Sequence, residues 1–203
     1  MNHFQLKHSV KLQPEKSIII QQMATVLSVL VTLFLFSGII YFGSKKQHYY
    51  QVKHTISELG EFGSPEANRV NFGLFLPVGL LLLLIAMNAC HNKFLPGYSI
   101  CIATGYLVAA FFPCDPGSPQ TGSGRQQIHN LGGLIEYAGA SLYLFKAEEI
   151  FDTPFIIGYK LSAGIIVICM VLISIPSIPA RGFIQRIAET VLFTNLIALS
   201  THT

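Results

Sequence analysis

A long apolar stretch from Ile18 to Phe42, interrupted only by Gln21, Gln22 and small hydroxyl residues, constrains this chain more than any other feature. About 20 apolar residues suffice to cross the hydrocarbon core of a bilayer. A secretory leader has a shorter apolar core, roughly 7–15 residues, closed by small residues. Here the run is longer and closes on Tyr41-Phe42-Gly43-Ser44-Lys45-Lys46, after a polar tail over 1–16 that carries Lys7, Lys11 and Lys16. It predicts an uncleaved first transmembrane helix. Composition extends the point to the whole chain, with 51% hydrophobic and 11% charged residues. An ordinary soluble domain carries about 25% charged residues, so too little charge is present to coat a water-facing surface. Disorder, a collagen repeat and a disulfide scaffold are excluded on the same grounds. The formal charge of +3 is dispersed between apolar runs and makes no basic stripe, so nucleic acid is not expected as a partner.

Five further apolar runs follow. Helices are expected at about 18–42, 65–90, 96–112, 128–145, 158–175 and 182–199, giving an all-α bundle of six transmembrane helices in one membrane domain. Ser64-Pro65-Glu66 predicts an N-cap, an N1 proline and an early acid for the second. Pro113 stops the third, and Pro176 and Pro179 mark the turn after the fifth. The sixth carries Arg186 and Glu189, which are spaced to pair on one face. Tyr41, Tyr49, Tyr50, Tyr98 and Tyr159 are the expected interfacial anchors in a chain without Trp. Cys90, Cys101, Cys114 and Cys169 show no CxxC spacing and read as free or membrane-packed thiols. Lysine and arginine divide almost evenly between the two sides, so the positive-inside rule does not fix orientation. No internal repeat is visible.

Two loops carry more chemistry than a connector needs. One, about 44–64, contains His54, Ser57 and Glu58; the other passes from Phe112-Pro113-Cys114-Asp115 through Arg125 to His129. Two helices separate them, so in a six-helix chain both emerge on the same face. A Ser, Asp, His set activates a hydroxyl or water, and a His, Asp, Glu set binds a divalent ion. The candidates are therefore Ser57, Glu58, Asp115 and His129 for catalysis, and His54, Arg125 and Glu136 for substrate binding. His54, Glu58, Asp115 and His129 are the candidates for a divalent metal. Each has a plainer alternative. Thr55-Ile56-Ser57-Glu58 matches a capping box, Asp115-Pro116-Gly117 is good turn chemistry, and His129 can serve as an interfacial hydrogen-bonding group. Glu136 lies seven residues beyond His129, on the same helix face and about 10 Å deeper. A carboxyl at that depth suggests function, or a bond to a neighbouring helix through Asn71 or Asn88. No HExxH, GxSxG or phosphate-cradling glycine motif is present.

With Ile56-Ser57-Glu58-Leu59-Gly60, Gly63-Ser64-Pro65-Glu66-Ala67, Asn71, Phe112-Pro113-Cys114-Asp115 and His129, the chain resembles a family of six-helix prokaryotic membrane proteins classified as a domain of unknown function. The similarity runs from helix 1 to helix 6. More distantly, the first loop looks like that of the eukaryotic group containing the autophagy modulator DRAM and a GPI-lipid remodelling factor. These resemblances imply a bacterial cytoplasmic membrane location, both termini in the cytoplasm, an extracytoplasmic motif loop and a link to lipid. They bring no catalytic residues. Three functions remain open: a lipid-modifying or lipid-handling protein, a small-solute or ion transporter using Glu136, Glu189 and Arg186, and a noncatalytic membrane scaffold.

Overall fold

The computed structural model describes residues 3–89, 92–148 and 158–202, without the side chains of 3–18 and 20. Among the described residues the fold is all-α, with six long helices and no strand. Helix α1 spans His3–Lys45, so the polar tail continues the first apolar run as one rod. Helix α2 spans Ala67–Asn88, α3 Leu95–Phe111, α4 residues 124–147, α5 Tyr159–Ile173 and α6 Arg181–Ser200. Cys90, the expected end of the second helix, lies outside the described residues. Cys101, Cys114 and Cys169 are free thiols.

Burial on α1 recurs at Ala24, Ser28, Val31, Leu35 and Ile39, the three-to-four-residue period of one helix face. The remaining faces are apolar too, with Leu30 at 55%, Leu33 at 62% and Ile40 at 67% exposure. Every other helix repeats this arrangement, as at Leu80, Ile100, Leu142, Ile168 and Phe183. Two helical stretches, Gln21–Lys45 and Ala67–Asn88, are long and apolar enough to cross a membrane, while Leu95–Phe111 and Tyr159–Ile173 are apolar but shorter.

Several local expectations change. Helix α2 begins at Ala67 with Glu66 at its N-cap and no side-chain cap bond, because Ser64 contributes only its carbonyl, to Ala67 N at 3.0 Å. Helix α4 begins at Gly124, earlier than the apolar run implied, since Ser123 caps it by accepting from Gln126 N. Arg186 does not pair with Glu189. Its guanidinium reaches back along α6 to Gly182 O at 2.7 Å, Tyr49 Oη at 2.7 Å, His54 O at 3.1 Å and Gln51. Tyr98 and Tyr159 are both buried inside the bundle, and Tyr98 donates across it to Leu192 O.

Two helices contain one turn of π-helix, at Asn71–Phe75 and Ile135–Gly139. Such bulges shift the side-chain register and recur at functional sites. The second places Glu136 and Tyr137 inside the bundle. Above it, residues 124–134 of α4 pack on α3, whereas α5 packs against the π turn and residues 140–147 below it. The loop-side ends of α4 and α5 are left splayed around a cavity.

Candidate functional site

The loops after α1 and α3 meet at one face of the bundle, as chain parity requires. Phe62 N donates to Cys114 O at 2.9 Å, Gly117 N donates to Glu61 Oε2 at 2.9 Å, and the Cys114 thiol donates to Ser57 O. A third connection joins them where Arg181, at the start of α6, donates to Ser118 O, Gly117 O and Ile173 O. Asp115-Pro116-Gly117-Ser118 forms a turn closed by Ser118 N to Asp115 O at 2.9 Å, with Gly117 at φ 76° supplying the positive angle. Ser118 also has positive φ, 45°, which is strained for a residue with a side chain.

Within this assembly the seven candidates separate into two groups. Glu58 completes a capping box, with Oε1 accepting from Thr55 N at 2.9 Å and Thr55 Oγ1 at 3.0 Å while Glu58 N returns a bond to Thr55 Oγ1. Asp115 organises the start of α4, accepting from Ser123 N and Oγ at 2.8 Å each and from Arg125 Nη2 at 2.7 Å. Ser123's N–H and hydroxyl, with Arg125, hold the Asp115 carboxyl below its ordinary value. Arg125 also donates to Pro113 O and stacks over the Phe62 ring at 3.6 Å. His54 accepts from Tyr50 N through Nδ1 and stacks beside Tyr49 and Tyr50. All four are committed to holding the loops in shape.

Ser57, His129 and Glu136 form the other group, and all three line the cavity between α4 and α5, about 570 Å³ in volume. Ser57 Oγ lies 3.1 Å from His129 Nε2, and His129 Nδ1 lies 3.0 Å from Phe112 O. A carbonyl can only accept, so Nδ1 carries a proton and the neutral ring turns its Nε2 lone pair to the Ser57 hydroxyl. The group bonded to His129 Nδ1 is thus the Phe112 carbonyl and not Asp115. A backbone group leaves no mark in the sequence, which is why the pairing was invisible there.

The metal set does not assemble. Among the described residues no three His, Cys, Asp or Glu side chains are grouped to hold an ion. Both Asp115 oxygens, His54 Nδ1 and Glu58 Oε1 are engaged in the loop contacts above, and none of these three residues lines the cavity.

Sequence reasoning also missed Arg181 and Gln185 on the cavity wall, and a buried network beneath it. Glu189 accepts from Tyr137 Oη at 2.7 Å and Tyr106 Oη at 2.8 Å, Gln185 Nε2 donates to Tyr137 Oη, and Gln185 Oε1 accepts from Ile56 N. Four-residue spacing of Gln185 and Glu189, which puts both on one helix face, was the available signal. Glu136 joins neither Asn71, which donates to Gly60 O, nor Asn88, which donates to Leu84 O.

Fold and site together define a helical bundle of strongly apolar surface with a serine–histidine pair at the mouth of an intramural cavity. The chain belongs to the DUF998 family of proteins of unknown function, which it matches over residues 29–202. No curated protein and no solved structure matches it.

Proposed function

We propose that this is a six-span membrane enzyme that uses Ser57 as a nucleophile, with His129 as its base, on an ester-bearing amphiphile of the bilayer. The observation carrying this reading is the Ser57 Oγ–His129 Nε2 contact of 3.1 Å, with the ring fixed by Phe112 O. A histidine whose far nitrogen is anchored is oriented to take a hydroxyl proton as the oxygen attacks. Six spans are favoured by the apolar residues exposed on all six helices, since a soluble protein rarely tolerates contiguous apolar patches beyond a few hundred Å².

The cavity wall suits a lipid. Gln127, Asn130 and Arg181 supply polar and positive groups beside Ser57 and His129, while Leu134, Val171 and Ile175 line the splay of α4 and α5. An acyl chain lying between those helices leaves its ester at the loop face. Ser57 Oγ attacks the carbonyl carbon and its proton passes to His129 Nε2. The C–O bond to the alcohol breaks, and the alcohol departs with that proton. Water then attacks the acyl-serine, giving up a proton through His129, and releases the acid. In this reading the loop face is extracytoplasmic and both termini lie in the cytoplasm.

An alkyl fluorophosphonate tests the reading on the full chain in nanodiscs. Its phosphorus bonds to Ser57 Oγ as fluoride leaves and the hydroxyl proton goes to His129. Labelling mapped by mass spectrometry to Ser57, and lost in His129→Ala, is the expected result. Folded protein in which Ser57 stays unlabelled would overturn the assignment.

A further inference from the structure

Beneath the serine–histidine pair a second, smaller chamber of about 30 Å³ is lined by Ser57, Gly105, Tyr106, Glu136, Gln185 and Glu189 among others. Glu136 and Gln185 form a wall shared with the larger cavity. The two carboxylates stand in different situations. Both Glu189 oxygens receive phenolic O–H donors, from Tyr137 and Tyr106, the arrangement that suits an ionised carboxylate. Glu136 is 7% exposed, and its Oε1 has no hydrogen-bond partner among the described residues. No Lys or Arg side chain lines the chamber. Two acids facing one small space in a low-dielectric bundle need either a shared proton or a bound cation.

The space admits the second solution. A cavity needs roughly 10–15 Å³ to admit one water-sized body, so this one accepts a water or a small ion and little else. Gly105 keeps it open, because a methyl group there would collide with Glu136 Oε2. The donor set is all oxygen: the free Glu136 carboxylate, the Glu189 carboxylate and the Ser57 and Tyr106 hydroxyls. Hard oxygen donors without sulfur or imidazole suit alkali and alkaline-earth ions. Divalent ions of that class take several carboxylates or many waters, whereas here one carboxylate is already engaged by two phenols. We infer that Glu136 and Glu189 hold one small monovalent cation, of sodium size, in the chamber beneath the cavity. This site does not depend on Ser57 acting as a nucleophile.

Binding of radioactive sodium to the full chain in nanodiscs, read by scintillation proximity at constant ionic strength, tests the inference. One saturable site per chain is expected, displaced by excess sodium or lithium. Glu136→Gln weakens it at least tenfold, and Gly105→Ala, which pushes on the same carboxylate, weakens it independently. His129→Ala, outside the chamber, keeps sodium binding while losing fluorophosphonate labelling, so the two sites fail separately. Absence of saturable sodium binding, or unchanged binding in a folded Glu136→Gln variant, would overturn the site. Displacement by magnesium or methylammonium as readily as by sodium would overturn the assignment to a small alkali cation.

Discussion

Two polar clusters share the loop face of this bundle, and their difference separates chemistry from architecture. Around Asp115, every strong acceptor is filled: Ser123 gives two bonds, Arg125 gives an ion pair at 2.7 Å, and the guanidinium is seated on Phe62. Around Ser57 and His129 the donors and acceptors are arranged in a directed line that ends at open cavity. Both clusters consist of residue types that suggest catalysis in a sequence. Only the second leaves a nucleophilic atom beside a base and facing space. Satisfaction, more than residue identity, distinguishes the two.

The sharpest break of that comparison is a pair of substitutions. Ser57→Ala and His129→Ala each lower fluorophosphonate labelling by about a thousandfold or more, as expected when a nucleophile or its base is lost, with the melting temperature in nanodiscs nearly unchanged. Asp115→Asn gives the opposite pattern: melting falls clearly, while labelling of the folded fraction persists. Equal loss of labelling in all three variants would merge the clusters into one site.

Next in size is Arg186→Ala, which removes a cation bonded to Tyr49, Gln51 and the carbonyls of His54 and Gly182. Hydrogen bonds to a charged group are worth about 1.5–3 kcal/mol, so a loss of about 2 kcal/mol in denaturant unfolding is expected, with Arg186→Lys restoring only part. A change near zero would show that the first loop is held without α6.

Acid separates the clusters further. The Asp115 carboxyl is held below its usual value by Ser123 and Arg125. Its contribution to stability is therefore complete above the unfolded value of about 4 and disappears as pH falls through the lower folded value. Wild-type melting is expected to decline below pH 4 more steeply than that of Asp115→Asn, measured in parallel. Superimposable profiles would mean that the turn does not depend on that charge.

The smallest expected effect is Ser118→Gly. Relief of a left-handed conformation at a non-glycine residue is worth about 1 kcal/mol, so a slight rise in melting temperature is expected. A fall would show that the Ser118 side chain holds the turn by more than its backbone bond to Arg181.

Much of the bundle was legible because apolar runs of helix length are hard to place any other way. Chain parity correctly brought the loops of Ser57 and Asp115 to one face, and the seven-residue spacing put His129 and Glu136 on one cavity wall. What escaped depends on partners the sequence does not name. Phe112 contributes a carbonyl, which any residue owns. Arg186 was read against its nearest acid on the same helix, but its long side chain found the carbonyls and phenol of a loop more than 130 positions away in the chain. The burial of Tyr98 and Tyr159 is likewise not marked by residue type, and the Tyr98 hydroxyl has the Leu192 carbonyl as its partner inside the bundle.

The π turn in α4 has a further consequence for how such a protein could change. One residue advances an α-helix by about 100°, so a single inserted position sets the two halves of α4 out of phase. The upper half packs chiefly on α3, whereas the lower half packs on both α3 and α5. Deleting one residue from Ile135–Gly139 would bring the halves back into phase and turn the loop-side half, which carries His129, by about 100° relative to the half packed against α5. One surplus residue thus sets how the half of α4 that carries His129 is turned against the half packed on α5, beside the cavity that Ser57, His129 and Glu136 line.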